Sequence, residues 1–312
     1  MAGLAVLINR GASKFARDRA LLAATEKAAG PDAVIIETHD LPELDAAAFQ
    51  VRHAQPDTVA LCGGDGSFMN GMTALRAAYG RAPLPRIAFI PGGAVSTVAR
   101  NFGMHGAANV ELARLVARHQ AGTLRTVSHR TIDANGRLGS IFGTALVAKF
   151  FELYYRDGAG SYADAARMVA RIFVESFVGG TYARDVLEPV ECALSVDGVP
   201  LSPDRYSLIC CATIRDLGLH MTVSYRNAER DDALHWIASS LPPRRLGPQM
   251  FRVIAGERIR GEPHFDGFVR TASIVFPQPF HWVLDGEMFR DRKIDVRLGP
   301  KIEVCSDAVD AR

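Results

Sequence analysis

The sequence of 312 residues lacks the marks of several specialised classes of protein. Its five cysteines are an odd number without a C-x-x-C pair, which argues against a disulfide framework or a zinc site and favours a reducing compartment. No apolar run approaches the roughly 18 residues that cross a bilayer, so any membrane contact is expected to be peripheral. The formal net charge is only +2, which gives no support for nucleic-acid binding. We expect a cytoplasmic protein that is able to contact the inner face of a membrane.

The composition that is present is that of an ordinary globular protein, with 48% apolar and 22% charged residues. The first apolar segment, Leu4–Ile8, is too short for the core of a signal peptide, so it is predicted to be the first strand. A chain of this length is long enough for two domains and a large core.

Strands and helices alternate over roughly the first 120 residues, which predicts a parallel sheet covered on both faces. The predicted strands are 4–9, 33–37, 58–62 and 86–90, and the predicted helices are 15–29, 43–54, 68–79, 96–102 and 110–119. Ligands of such sheets bind beyond the carboxyl ends of the strands. The loops at those ends are predicted to be 9–14, 63–67 and 91–97.

After Gly122 strands predominate. The predicted strands are 124–133, 140–147, 193–201, 206–212, 220–225, 271–276, 282–284 and 302–305, and the predicted helices are 162–177 and 231–239. Asp197-Gly198 and Asp285-Gly286 are typical hairpin turns. The expected fold class is α/β plus β, with a doubly wound parallel-sheet domain over 1–124 and an antiparallel β-sandwich domain over 125–312. The last residues are able to pack back on the first domain.

A first glycine-rich loop, Gly63-Gly64-Asp65-Gly66-Ser67, joins a buried strand to a helix. Three glycines in four positions let the backbone approach a ligand closely, and N–H groups at a helix N-terminus form an anion site. Asp65 would repel phosphates unless a metal ion or a transferable proton lay between them. The loop therefore indicates phosphoryl chemistry with Mg²⁺.

A second loop, Pro91-Gly92-Gly93-Ala94-Val95-Ser96-Thr97, also runs from a strand into a helix. Either Ser96 or Thr97 is able to cap that helix. Arg100 follows one turn later, within reach of a phosphate.

Three motifs in this order resemble the diacylglycerol kinase catalytic family, which includes bacterial lipid kinases, sphingosine kinases and ceramide kinases. The first loop is similar to the family's GGDG(T/S), the second to its bacterial form PxGTxNxxAR, and Asp285-Gly286-Glu287 to its late DGE motif. The resemblance implies a nucleotide-binding α/β domain and a β-rich lipid-binding domain, with ATP between them. It also implies transfer of the γ-phosphoryl group to a lipid hydroxyl at a membrane surface.

The same resemblance implies roles for individual residues. The nucleotide-binding set is Asn9, Gly63, Gly64, Gly66, Ser67, Gly92, Gly93, Ser96, Thr97, Arg100 and Asp285. Asp65 and Glu287 are the implied catalytic residues, with Asp65 as the candidate base. Asp65, Asp232 and Glu287 are the implied Mg²⁺ ligands, although Ala233 stands where the family segment around Asp232 has glycine.

The second loop departs from the family, because Ala94 and Ser96 stand where Thr and Asn are usual. One lost hydrogen bond to a charged group costs about 1.5–3 kcal/mol. A lipid-binding pseudokinase with weak ATP binding is therefore an alternative. An NAD kinase-like enzyme shares GGDG but needs an Asn-Glu pair, which the sequence lacks. A dehydrogenase is disfavoured because Met69 replaces the last glycine of GxGxxG.

The sequence leaves three lipid acceptors open, which are diacylglycerol, ceramide and a sphingoid base. It also leaves open whether the protein forms a homodimer. The aromatic residues Phe142, Phe150, Phe151, Tyr154, Phe173 and Phe177 either line an acyl-chain cavity or belong to the core. The basic and apolar stretch Leu241–Leu246, together with Met250-Phe251-Arg252, either lies on an anionic membrane or is a solvated connector.

Overall fold

The structure is a computed structural model that describes residues 3–156 and 162–307. Two compact units divide these residues: the first contains residues 3–131 and 300–307, and the second contains residues 132–299. The sequence-based boundary at residue 124 falls inside the first unit. Among the helices of the described residues, none has the length and apolar run that crossing a membrane would need.

The first unit alternates strands and helices. Its elements are β1 (Leu4–Asn9), α1 (Ser13–Arg17), α2 (Arg19–Ala28), β2 (Val34–Thr38), α3 (Leu41–Ala54), β3 (Thr58–Gly63), α4 (Asp65–Tyr79), β4 (Arg86–Pro91), α5 (Thr97–Asn101), α6 (Ala108–Gln120) and the start of β5 (Thr126–Ala134). The single helix predicted over 15–29 is two helices, because the extended residue Asp18 separates them and caps the second.

The sheet of the first unit has the order β2-β1-β3-β4, with all neighbours parallel. Val304, near the end of the chain, continues the sheet beside Ile87 of β4. β1, β3 and β4 are buried along almost their whole length because helices cover both faces, which explains their continuous apolar sequences. Helices α2 and α6 pack together on the cluster formed by residues such as Val6, Ala60 and Leu112.

The second unit is mainly antiparallel. Its elements are β6 (Arg137–Gly139), β7 (Ile141–Ala145), α7 (Leu146–Arg156), α8 (Tyr162–Val178), α9 (Thr181–Leu187), β8 (Val190–Glu191), β9 (Ala193–Val196), β10 (Val199–Pro200), β11 (Arg205–Tyr206), β12 (Leu208–Ala212), β13 (Leu234–Ser239), α10 (Pro243–Leu246), a 3-10 helix (Gly247–Gln249), α11 (Met250–Ile254), β14 (His264–Val269), β15 (Thr271–Leu284) and β16 (Glu287–Cys305).

Strands β14, β13, β12, β7, β15 and β16 follow one another in the sheet of the second unit, all antiparallel. The hairpin turns at Asp197-Gly198 and Asp285-Gly286 are confirmed, with positive φ at all four residues. The predicted class, a parallel α/β part followed by an antiparallel β part, is confirmed.

Two local predictions in the second unit are wrong. Residues 220–225 form turns and not a strand, since Leu219 and His220 take positive φ and interrupt the extended chain. The predicted helix over 231–239 is strand β13 from Leu234, buried at every position between β12 and β14. Periodicity does not distinguish such a fully buried strand from a buried helix. Helix α7 was not predicted, and it begins directly after Ala145, whose φ of 58° ends β7.

Candidate active site

The carboxyl edge of the first unit's sheet brings three loops together. β1 has β2 on one side and β3 on the other, so the strand order reverses direction between β1 and β3. A switch of this kind opens a crevice outside the carboxyl ends of the strands, where ligands of open α/β sheets bind. The residues that end these strands are Asn9 on β1, Gly63 on β3 and Pro91 on β4.

The two glycine loops touch each other through their backbones. The carbonyl oxygen of Gly63 accepts hydrogen bonds from the N–H groups of Gly92 (2.6 Å) and Gly93 (3.0 Å). A Cβ atom on Gly93 would lie closer than 3.0 Å to the Cα of Gly64, a separation that real Cβ atoms essentially never show. Glycine is therefore required at Gly93 for the loops to meet.

Asn9 and Ser67 fasten the first loop to the end of β1. The Asn9 side chain donates to the Ser67 hydroxyl (2.8 Å) and accepts from the N–H of Gly11 (2.9 Å). The same hydroxyl accepts from the N–H of Gly64 (3.2 Å). Because Ser67 accepts twice, its own hydrogen stays free to donate to a ligand.

Asp65 of the first glycine loop links the two loops, because it caps α5, the helix that follows the second loop. Its two carboxylate oxygens accept from the backbone N–H groups of Thr97 and Val98, both at 2.8 Å. Sequence reasoning expected Ser96 or Thr97 to cap α5. Instead Ser96 has a φ of 54° and makes no side-chain cap, and its hydroxyl lies 3.5 Å from the carbonyl oxygen of Gly93.

Burial raises the pKa of Asp65 to about 6. The two N–H groups of α5 and the positive charge of Arg100 favour the carboxylate, but they offset only part of the desolvation. Asp65 is thus ionised near neutral pH while it binds a proton more readily than an ordinary aspartate. A carboxylate offers about four lone-pair positions, so the two cap bonds leave further positions for a ligand.

Two cations lie close to the second glycine loop. Arg100 is exposed on α5, and the backbone N–H of Lys14 donates to the carbonyl oxygen of Gly92 (3.0 Å). Burial and the charge of Arg100 lower the pKa of Lys14. Gly66 and Ser67 lie in the first turn of α4, where helix N–H groups have no partner within the helix. These cations and N–H groups form a site suited to phosphate.

A cavity of about 180 Å³ adjoins the first loop. Asn9, Ser67 and Asn70 line it together with Thr38, the last residue of β2, and His39, which follows that strand. Asn9 and Ser67 therefore contribute both to the hydrogen-bonded loop and to the wall of this cavity.

The second unit holds the other predicted motif, on the hairpin between β15 and β16. Asp285 is buried, and its carboxylate accepts from the backbone N–H groups of Ser140 (3.0 Å) and Ile141 (2.7 Å). Its N–H also donates to the carbonyl oxygen of Ile141 (2.9 Å), so Asp285 supports the turn. Glu287 follows the turn and is exposed, although partial desolvation of its carboxyl raises the pKa.

Asp232 lies in an environment that does not suit a metal ligand. It is exposed, and its oxygens pair with Arg230 (2.8 Å) and Arg270 (2.9 Å). Both arginines hold the pKa of Asp232 well below its usual range. Across residues 3–156 and 162–307, no cluster of three or more His, Cys, Asp or Glu residues is arranged to hold a metal ion.

The predicted aromatic set divides between core and surface. Phe142 is fully buried and packs on Trp236 and Trp282, with ring centroids 5.6 and 6.0 Å away, so it belongs to the core. Phe150 and Phe151 on α7 form a separate, half-buried aromatic cluster with neighbouring tyrosines.

Comparison with known proteins agrees with the motifs. Residues 3–129 match the model of the diacylglycerol kinase catalytic domain. The matched part of the chain includes both glycine loops. No curated protein matches it in sequence. The loops after β1, β3 and β4 all lie within the matched residues.

Solved structures from Bacillus anthracis strain Sterne share the fold of this chain. A candidate diacylglycerol kinase aligns with a TM-score of 0.69 and 17% identity over 98% of this chain and 97% of the other. A diacylglycerol kinase from the same strain aligns with a TM-score of 0.63 and 16% identity over the same shares of the two chains. At such low identity the alignments establish the fold alone.

Proposed function

We propose that the protein is a lipid kinase that transfers the γ-phosphoryl group of ATP to a lipid hydroxyl, on diacylglycerol, ceramide or a sphingoid base. The observation that carries the proposal is the junction of the two glycine loops. Asp65 of the first loop caps α5 of the second, at the reversal point of the strand order. The match of residues 3–129 to the model of the diacylglycerol kinase catalytic domain supports the same reaction class.

The nucleotide phosphates would lie against the glycine loops. N–H groups of the first turn of α4 would bind their oxygens, while Arg100 and Lys14 would offset their charge. Ser67 would donate its free hydroxyl hydrogen. The cavity beside Asn9 offers space for another part of the nucleotide.

Asp65 would act as the base that accepts the proton of the lipid hydroxyl. An alcohol is a poor nucleophile at neutral pH, so a positioned proton acceptor increases its reactivity. The pKa of about 6 leaves most Asp65 carboxyls ionised at pH 7, yet makes them stronger bases than ordinary aspartates. The two cap bonds fix the orientation of the carboxylate before substrate binds.

Magnesium would be held jointly by the nucleotide and few protein groups. Mg²⁺ at such sites is commonly bound by one or two carboxylates and by substrate phosphates, which agrees with the lack of a protein-only cluster in the described residues. Asp65 fits as one carboxylate and Glu287 is a second candidate, whereas the ion pairs of Asp232 disfavour it. When bound, the ion neutralises charge on the transferred phosphoryl group.

The second candidate function is that of a lipid-binding protein with weak ATP affinity. The observation that favours it is the sequence of the second glycine loop. Ala94 is exposed and has no hydroxyl to offer a phosphate. Ser96 is buried, with its hydroxyl near the carbonyl oxygen of Gly93 within its own loop. Both positions therefore provide fewer ligand contacts than the family pattern implies.

The deciding experiment measures transfer of labelled γ-phosphate from ATP with Mg²⁺ to detergent-dispersed diacylglycerol, ceramide, sphingosine and phosphatidylglycerol, with NAD as a further acceptor. Label on one lipid would support the kinase and identify its acceptor. Label on NAD alone would instead assign an NAD kinase-like activity. No transfer by a folded sample that binds lipid would favour the second candidate.

Asp65→Asn tests the role of the carboxylate in the same assay. Asp18→Asn is a matched control, because Asp18 also caps a helix of the first unit, accepting from the N–H of Leu21 (2.9 Å). We expect Asp65→Asn to abolish transfer and Asp18→Asn to preserve it. Full turnover by folded Asp65→Asn would remove this residue from the mechanism.

A further inference from the structure

The second unit exposes an unusual concentration of large apolar side chains on two neighbouring helices. On α8 the exposed fractions are 63% for Val174, 56% for Phe177 and 73% for Val178. On α11 they are 64% for Phe251 and 45% for Ile254. We call these five residues the apolar patch. Contiguous apolar surface of this kind marks a site of interaction with another molecule or a membrane.

The two helices under the apolar patch are held firmly in the unit. Ile172 of α8 and Val253 of α11 are buried in one hydrophobic cluster, so each helix has a core face and an exposed apolar face. The Phe173 ring lies edge-on to both Phe177 and Phe251, with centroids 5.0 and 4.8 Å apart. The patch is therefore a preformed surface that spans both helices.

Positive charge predominates in the segment that contains α10 and α11. Residues 241–262 contain five arginines and two glutamates, whereas the whole chain has a net charge of only +2. Arg244, Arg245 and Arg260 are exposed, and no acidic side chain of the described residues lies within 4.0 Å of their guanidinium groups. The Arg244 guanidinium lies beside Gly179, since a Cβ atom on Gly179 would be 2.7 Å from Arg244 Nη2. Gly179 follows exposed Val178 in the sequence, so this cation is next to the apolar patch.

We propose that the apolar patch docks on the surface of a bilayer that contains anionic phospholipids. Phe177 and Phe251 would enter the boundary between headgroups and acyl chains, and the arginines would contact lipid phosphates. An amphipathic surface with aromatic residues on one face and arginines around it is typical of interfacial membrane binding. The proposal does not depend on kinase activity, since a lipid-binding protein without transfer would need the same surface.

Charge disfavours a second copy of the chain as the occupant of the apolar patch. A two-fold symmetric dimer would place the same surface of both copies face to face. Arg244, Arg245 and Arg260 would then meet their own counterparts, and juxtaposed like charges oppose association. An anionic membrane has the complementary charge.

The structure also changes the prediction for the stretch Leu241–Leu246. Leu241 and Leu246 are buried in the cluster beneath the helices and are not available to a membrane. Its arginines and Pro242 are exposed. The apolar contact is provided by Phe251, which the sequence-based prediction included, by its neighbour Ile254 on α11, and by α8, which the prediction did not include.

The test is co-sedimentation of the whole protein with vesicles of pure phosphatidylcholine and with vesicles of equal parts phosphatidylcholine and phosphatidylglycerol. We expect binding to the anionic vesicles, reduced by salt. Phe177→Ala with Phe251→Ala should lower the partition coefficient by at least roughly tenfold, from the apolar area lost. Arg244→Gln and Arg245→Gln should each lower it about fivefold.

Matched controls separate docking from loss of folding. Phe49→Ala removes a phenylalanine that is equally exposed, at 61%, on α3 of the first unit. Arg81→Gln removes an exposed arginine of the first unit. Both should bind vesicles like wild type, and circular dichroism should show that every variant is folded.

Three outcomes would overturn the proposal. The first is no binding of wild type to anionic vesicles, and the second is equal loss in the Phe49→Ala control. The third is a dimer of the wild type in sedimentation velocity that becomes a monomer in the Phe177→Ala, Phe251→Ala variant. A second copy of the chain would then cover the apolar patch. None of these results bears on phosphate transfer to detergent-dispersed lipid, so docking and the proposed function are tested separately.

Discussion

Replacing Gly93 by alanine should separate the two glycine loops. The added Cβ would lie less than 3.0 Å from the Cα of Gly64 and 3.2 Å from its nitrogen. Both are backbone atoms, so no side chain is able to move aside. Reaching an ordinary carbon–carbon contact of about 3.5–4.0 Å requires the two backbones to move apart by more than about 1 Å.

The cost of that shift follows from what the loops share. Overpacking of this kind destabilises by about 1–3 kcal/mol. The displaced loop would also lengthen the hydrogen bonds from Gly92 and Gly93 to the Gly63 carbonyl and move the N–H groups that hold Asp65. A misplacement of about 1 Å in a catalytic site costs on the order of 100-fold in rate.

The assay combines denaturant unfolding with nucleotide binding by calorimetry and phosphate transfer. Gly3→Ala is the control, because a Cβ on Gly3 meets no heavy atom within 4 Å. We expect Gly93→Ala to unfold at a lower denaturant concentration and to transfer about 100-fold more slowly, with the control unchanged. If Gly93→Ala matched wild type in unfolding midpoint and in nucleotide affinity, the required backbone contact between the loops would be refuted.

Three further predictions concern the carboxylates and the altered second loop. The transfer rate should fall tenfold per pH unit below about pH 6, as the raised pKa of Asp65 lets its carboxyl protonate, and a flat rate profile down to pH 5 would contradict this. Asp285→Asn should lower the free energy of unfolding by about 1.5–3 kcal/mol in a urea titration, since a neutral amide oxygen would replace the buried carboxylate that accepts from two backbone N–H groups. Asp232→Asn should leave the unfolding midpoint close to that of wild type in the same titration, because Asp232 is exposed, and equal losses would refute the contrast. Ala94→Thr should raise ATP affinity in calorimetry, and a loss would show that the loop has repacked around alanine.

Features of the fold that depend on local sequence could be predicted. β1, β3 and β4 are buried on both faces, so their apolar runs and following glycines identified them and their loops. The hairpin at Asp285-Gly286 was equally evident, since two successive residues with positive φ favour this dipeptide. The two glycine loops of the candidate site could therefore be identified from local sequence.

Features that depend on tertiary neighbours could not be predicted. The cap of α5 comes from Asp65, 32 residues earlier in sequence, so no motif around Ser96 reveals it. The residues of β13 were predicted to be helical, and they form a strand because β12 and β14 pair with it on its two sides. Lys14 acquires its lowered pKa from burial and from Arg100, which only the folded loops bring near it.

The return of the chain's end to the first unit has a consequence for synthesis of the protein. Residues 300–307 complete a unit whose other part ends at Thr131. About 170 residues separate the two parts, so at about 5–20 residues per second a ribosome needs roughly 8–35 s to deliver the missing piece. During this time the side of β4 that later pairs with Val304 has no strand beside Ile87. An open strand edge invites wrong pairing, so nascent chains should be most prone to aggregation, and most in need of chaperones, in that interval.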